Sequence, residues 1–325
     1  LFDSGDADGI VTPTGTGLIP VNWLERSTAI LPCWMTDDQN RPSLIDPRQI
    51  LNGVLEDYAT LGLTPIIAFE LEFYLLDASS EKPIVSKNPM TKNRLLNTSV
   101  LSIDELDSFE NFFSDICIAC KNHNIPSDTV ISENGVGQFE INLTHTAKSL
   151  VAADHALYFK RIVRGVAQKH SLKASFMAKP FLNSAGNGMH LHVSVIDTAG
   201  DNIFDNKSPS GTKVLKNAVG GLLNSLHEST LIFAPHLNSY RRLKPGSHAP
   251  TSICWGYENR TAALRIPAGA PRARRIEHRV AGGDINPFLT LGLILGAALL
   301  GIEDDLTPPP PITGNAYSQD LPQLI

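Results

Sequence analysis

Glu70 and Glu72 stand one residue apart in the stretch PIIAFELEFYLLD, residues 65–77, which otherwise reads as a buried strand. Strand side chains alternate between two faces. Ala68, Glu70, Glu72 and Tyr74 therefore share one face, and Ile67, Phe69, Leu71, Phe73 and Leu75 share the other. The division recurs. Gln138, Glu140 and Asn142 oppose Phe139, Ile141 and Leu143. His190, His192 and Ser194 oppose Met189, Leu191, Val193 and Val195. Arg275, Glu277 and Arg279 oppose Ile276, His278 and Val280. One such strand is most simply the wet face of an antiparallel sheet. Solvated faces carry Lys, Thr and Ser, however, and the charged and titratable residues on these are mostly Glu, His and Arg. The coincidence predicts one sheet with helices on its apolar back and a functional floor in front.

Crowded carboxylates repel, and burying them unpaired is costly. Glu70, Glu72, Glu140 and Glu277, with Glu133 just upstream, call for positive partners. Oxygen-rich donor sets with an occasional imidazole suit Mg²⁺ or Mn²⁺, whereas zinc takes more His or Cys. Arg242, Arg260, Arg265, Arg275 and Arg279 follow in the second half of the chain. Hard cations ringed by arginines are the chemistry of a bound triphosphate. The His-x-His pair alone also opens the metal site of barrel amidohydrolases. That reading needs further metal-binding histidines on later strands, and His227, His236, His248 and His278 fall in a helix, in loops or on an apolar strand face.

The elements that must hold these groups alternate along the chain. Helical spacing marks 46–62, 102–124, 152–171, 213–230 and a segment from Asn286, with a Ser-x-x-Glu cap at Ser102 and Glu105. Strand-like runs cover 64–76, 138–143, 173–180, 188–196, 261–267 and 274–280. No glycine-rich phosphate loop follows the first strand, and there is no internal repeat. Four prolines at 308–311 read as an extended connector. The 325 residues suffice for one large domain or two smaller ones, and 18% of them are charged, for a net charge of −6. That mild acidity, without a basic stripe, argues against a nucleic-acid partner. The apolar core of the last helix, Phe288 to Ile302, is shorter than the roughly 20 residues of a membrane span. It predicts a buried helix, and no membrane partner. Cys117 and Cys120 are expected to pack on one buried helical face, a usage that fits a reducing cytoplasm.

Taken in order, FELEFYLLD, ENGVGQFEINL, FMAKP, GNGMHLHVSV, NSYRRLKPG, WGYENRTAALRIP and RRIEHRVAGGDINPFL make the chain resemble the glutamine synthetase family from about Asp3 to Asp305. The branch it resembles most is that of the γ-glutamylpolyamine (glutamate–putrescine) ligases, through SGDAD, GQFEINL, NSYRR and EHRVAGGDINP. The resemblance implies an α+β fold with a partial β-grasp segment over 1–42 and a catalytic domain over 43–325, built on a curved antiparallel sheet backed by helices. It implies ATP and two or three Mg²⁺ or Mn²⁺ ions, with glutamate and an amine as substrates. Ligands of one ion would be Glu72, Glu133 and Glu140, and of another Glu70, His190 and Glu277. His192, Ser194, Arg265 and Arg272 would face ATP. Arg260 would act in the phosphoryl transition state. Arg242, Arg279 and Gly186 would hold glutamate. A ring-shaped, double-ring homo-oligomer in the cytoplasm is implied as well.

Three departures bear on the reaction. His248 stands where ammonia-using members place a flap glutamate after the RLxPG run. Ala185 stands where a glutamate-loop asparagine is usual. The acidic loop of the family's N-terminal domain, and the helices that follow the position of Ile325, are expected to lie outside the chain. A guanidino-kinase reading of the same sheet lacks these Glu and His ligands. A non-catalytic member would have lost them.

Overall fold

The computed structural model describes residues 8–98 and 100–325. Of the SGDAD motif, residues 4–7 lie outside the described residues. The chain opens on four short strands, β1 (Ile10–Pro13), β2 (Ile19–Pro20), β3 (Ala29–Ile30) and β4 (Cys33–Thr36). They pair as two small antiparallel sheets, β1 with β4 and β2 with β3. Helix α1 (Pro47–Thr60) follows, started by the Asp46 side chain, which accepts from the Arg48 N–H, and by Pro47 in the first turn.

The floor is one eight-stranded sheet. Its strands are β5 (Thr64–Asp77), β6 (Ser127–Ser132), β7 (Gln138–Leu143), β8 (Leu172–Ser175), β9 (Met189–Ile196), β10 (Trp255–Tyr257), β11 (Leu264–Ile266) and β12 (Ile276–His278). The order is β10-β11-β12-β9-β5-β7-β6, with β8 beside the far end of β5. The sheet is antiparallel except at one edge, where β10 and β11 run parallel. Strand β5 is the keel. It pairs with β9 over its first half and with β7 and β8 over its second.

The apolar back is covered by α2 (Ile103–Ser108), α3 (Glu110–Asn122), α4 (Ser149–Lys169), α5 (Lys213–Ser225) and α8 (Pro287–Glu303), with α6 (Thr230–Phe233) and α7 (Leu237–Tyr240) as single turns. Phe69, Leu71, Phe73, Phe139, Leu191, Val193 and Ile276 point into this core and are 1% exposed or less. Helix α8 is buried on most of its surface, as its uncharged sequence implies. Its 17 residues are about 25 Å long at 1.5 Å each. No described helix is long and apolar enough to cross a membrane.

Five sequence expectations need correction. The helix expected over 102–124 is two helices, broken at Phe109 (φ −107°), whose ring is anchored against Phe113 and Phe139. The strand expected over 173–180 ends at Ser175, because the chain must turn away to form the 176–188 loop on the front face. The runs expected at 261–267 and 274–280 pair over only three residues each. Finally, Cys120 is buried but Cys117 is exposed. The core side of α3 is set by Phe112, Phe113, Ile116 and Ala119, and Cys117 follows Ile116 around the helix to the solvent side.

The small residues of α8 have a packing role. A Cβ at Gly221 of α5 would collide with the Ala297 carbonyl and stand 2.7 Å from the Gly301 backbone of α8. Neither backbone can yield without separating the helices. Gly221→Ala should therefore cost about 1–3 kcal/mol, the usual penalty of overpacking. A melting temperature unchanged from the parent would refute this close-approach account.

Candidate active site

Strand registry brings the ionisable fronts together. Glu72 lies directly across from Glu140, and Glu70 from His190. His192 faces Ala68 on one side and Glu277 on the other, and Glu277 in turn faces Arg265. One band of Glu, His and Arg thus crosses β7, β5, β9, β12 and β11. Two sets of donor atoms converge within 4.8 Å: Glu70, His190 and Glu277 in one, Glu72, Glu140 and His190 in the other. The first is the second ligand set expected from sequence. In the other, His190 joins Glu72 and Glu140, while Glu133 stands outside the compact set, on the turn after β6.

Each carboxylate has a different local field. Burial would raise Glu70, but Nδ1 of His190 at 3.2 Å and Nε2 of His192 at 2.7 Å hold it well below the usual range. Glu277 is 1% exposed, and against that burial Arg279, then His190 and His192, hold it at about 2. Arg279 Nη1 bonds Glu277 Oε1, and Arg265 Nη1 bonds Oε2 at 2.8 Å. Glu140 has no ion pair among the described residues, and a hydrogen bond with Asn142 lowers it only weakly by comparison. Burial, then Glu70, Glu72 and Glu133, push it up to about 10. Burial and Glu72 likewise raise Glu133 to about 7. An oxygen-rich, strained carboxylate group with one imidazole is a donor set that fits hard divalent cations.

The other expected residues flank this centre. His192, Ser194 and Arg272 line a cleft of about 1210 Å³ that also reaches Glu70, Asn142 and Arg275. Arg275 Nε donates to Nδ1 of His192 at 2.9 Å. Arg265 does not line this cleft. It pairs with Glu277 and, at 3.2 Å, with Glu258. Arg242 is buried, and its guanidinium donates to the carbonyls of Val280 (2.7 Å) and Arg279 (3.3 Å). Its stem backs Gly186, where a Cβ would come within 2.8 Å of Arg242 Cγ and 2.6 Å of the Ala178 carbonyl. Only glycine allows that approach. Arg260 is exposed on the β10–β11 loop, and its charge reaches Glu133. His248 is exposed on the 244–250 loop in a left-handed conformation (φ 61°), and its carbonyl accepts from Arg279 at 3.5 Å.

The family described as glutamine synthetase, catalytic domain, matches residues 44–323. The chain belongs to the glutamine synthetase family. It is 39% identical over 289 residues to gamma-glutamylputrescine synthetase PuuA of Escherichia coli (strain K12), covering 88% of this chain and 61% of that protein. It is 34% identical over 322 residues to the glutamate–isopropylamine ligase of a Pseudomonas species, covering 97% and 69% of the two chains. A solved structure of GmaS without ligand superposes with a TM-score of 0.86 at 31% identity, over 98% of this chain and 73% of that one.

Within this glutamine synthetase frame, the clustered carboxylates are held in place by groups that leave little trace in the sequence. The Gly188 N–H donates to Glu72 Oε2 at 2.7 Å. The Tyr74 hydroxyl donates to the Ala185 carbonyl at 2.8 Å, so the 184–188 loop is tied to β5. Backbone donors carry no sequence signal. Tyr74 did, since it shares a strand face with Glu70 and Glu72.

The field at Glu133 and Glu140 has a consequence for stability. Their folded values, about 7 and about 10, exceed the ordinary 4.5. The folded chain therefore keeps protons that the unfolded chain releases, and stability falls as pH rises. Buried His278, lowered to about 3, acts in the opposite sense below 6.5, and Lys160, lowered to about 8, does so above that value. Between these limits the carboxyls dominate. In chelator, the melting temperature should fall from about pH 6.5 to about pH 8, and Mg²⁺ or Mn²⁺ should raise it more at the higher pH. Calorimetric scans at the two pH values test this, and a metal effect independent of pH would refute it.

Proposed function

We propose that the protein is an ATP-dependent ligase that joins the γ-carboxylate of glutamate to an organic amine, most plainly a polyamine or another alkylamine. The observation that carries this reading is the double carboxylate–imidazole cluster beside a cleft lined by His192, Ser194, Arg272 and Arg275, in a chain of the glutamine synthetase family. Two or three Mg²⁺ or Mn²⁺ ions would be held by Glu70, His190 and Glu277 and by Glu72, Glu133 and Glu140, and would supply positive charge that screens the phosphates when bound. His192, Ser194 and Arg272 orient the triphosphate along the cleft, and Arg265, paired with Glu277 outside its lining, adds positive charge toward the phosphates. Arg242, Arg279 and Gly186 hold glutamate. The γ-carboxylate oxygen attacks the terminal phosphorus of ATP, the bond to ADP breaks, and Arg260 stabilises the charge on the transferring group. The amine nitrogen then attacks the acyl carbon of γ-glutamyl phosphate. Phosphate leaves, and the amine gives up a proton.

Residues 1–42 are proposed as part of a β-grasp-like domain and residues 43–325 as the catalytic domain. A ring-shaped homo-oligomer and a cytoplasmic location complete the reading, the latter supported by four free cysteines.

His248 supports an alkylamine over ammonia. Ammonium must lose a proton before it can attack, and a flap carboxylate would attract the cation. An imidazole, neutral or positive near neutral pH, cannot do so, yet it can accept a proton from a bound amine. With ATP and glutamate fixed, kcat/KM should be higher for putrescine or a monoamine than for ammonium. A higher value for ammonium would restore ordinary glutamine synthesis.

Arg260, exposed on the β10–β11 loop with its charge reaching Glu133, should act mainly in the transition state. Arg260→Ala should lower kcat by about 10²-fold or more, with a smaller change in KM for ATP. An unchanged kcat with weakened ATP binding would assign the arginine to ground-state binding.

A further inference from the structure

Gln138 begins β7 on the same face as the ligands and is 1% exposed. Its Nε2 lies 3.0 Å from the Gly186 carbonyl, 3.0 Å from Oδ1 of Asn187 and 3.4 Å from Oε2 of Glu72. Its Oε1 accepts from the Gly135 N–H at 2.8 Å. The orientation of this amide is fixed by its neighbours. Turned over, its oxygen would face three acceptors and its nitrogen a donor. Asn187 cannot turn to help, because its Nδ2 donates to the carbonyls of Ser175 at 3.1 Å and Met177 at 2.9 Å.

A single carboxamide thus touches three separate segments. These are Glu72 on β5, the 184–188 loop, and the turn that begins at Glu133. The Glu72 bond falls on the same oxygen that accepts from Gly188, so both donors fix the rotation of that carboxylate. A glutamine that only filled space on this face would not need all three acceptors at once.

We propose that Gln138 is a positioning residue that sets the Glu72 carboxylate and the 184–188 loop together, so that divalent-cation affinity and glutamate affinity depend on one side chain. This rests on the reading of Glu72 as a metal ligand and of the loop as part of the glutamate site. Such outer partners commonly govern metal affinity, because a ligand that must be reoriented binds less well.

The test uses the full chain, with Mn²⁺ as the probe. Free Mn²⁺ is followed by electron paramagnetic resonance without ATP, so no turnover is required. Gln138→Met keeps the length and loses every hydrogen bond. Gln138→Asn keeps a buried amide but withdraws it by one methylene, and it decides the matter if the Met variant does not fold. Both should raise the Mn²⁺ dissociation constant about 10–100-fold. Both should also raise KM for glutamate by about tenfold, with KM for ATP changed by no more than about twofold. Tyr74→Phe, which frees only the Ala185 end of the loop, should raise KM for glutamate and leave Mn²⁺ binding as it was. A folded Gln138 variant that binds Mn²⁺ as tightly as the parent overturns the proposal. A parent that binds Mn²⁺ but releases no phosphate leaves the Mn²⁺ comparison decisive and refutes the ligase reading alone. A parent that binds no Mn²⁺ overturns both.

Discussion

The arrangement depends on one constraint, the mutual repulsion of carboxylates held on a half-buried sheet face. Glu70, Glu72, Glu140 and Glu277 converge because strand registry leaves them no other place. Like charges at such spacing are tolerable only if the protein or a ligand supplies positive charge. The protein supplies it unevenly. Glu277 has two arginines and Glu70 two imidazoles, whereas Glu140 has none and is pushed up to about 10. That imbalance divides the floor into a neutralised end, toward β12 and β11, and an end still demanding cations, toward β7.

The back of the sheet makes this front possible. A continuous layer of Phe, Leu, Ile and Val against α4 and its neighbouring helices holds β5 and β9 rigid. Hydrophobic burial there is non-directional and large, and it offsets the unfavourable field in front. The same alternation that puts Phe69, Leu71 and Phe73 inward puts Glu70 and Glu72 outward. A slip of one residue in the β5–β9 pairing would exchange the two sets and bury the carboxylates in the core. Core and site are therefore two faces of one registry.

His278 and Arg242 show how tightly the two faces are coupled. His278 belongs to the apolar back, tilted against Phe233 at 4.5 Å, and burial keeps it neutral. Its chain neighbours, Glu277 and Arg279, face the site. Arg242 approaches from the 241–246 segment and is buried, and its guanidinium is aimed by the carbonyls of Val280 and Arg279. Glycines at 186 and 188 let the loop pass close to it.

The family resemblance of the motifs grouped Glu70, His190 and Glu277, and period-two patterning by itself determined the four strands with ionisable fronts and their polar faces. The physical reason is local, since alternation fixes which side chains share a face wherever the strand ends up. The long helices were legible from their own spacing, and the cap at Ser102 from its Ser-x-x-Glu pattern, whereas the caps at Asp46 and Asn286 emerged with the structure. What only the tertiary structure decided depends on contacts between distant segments. Strand order, the parallel β10–β11 edge, the break at Phe109 and the exposure of Cys117 are examples. So are the partnership of His190 with Glu72 and Glu140, the pairing of Arg265 with Glu277, and the grip of Gln138 on Glu72 and the 184–188 loop. No spacing along the chain encodes a hydrogen bond from residue 138 to residues 72 and 186. It exists because β7, β5 and the loop are brought side by side by a core that each of them helps to build.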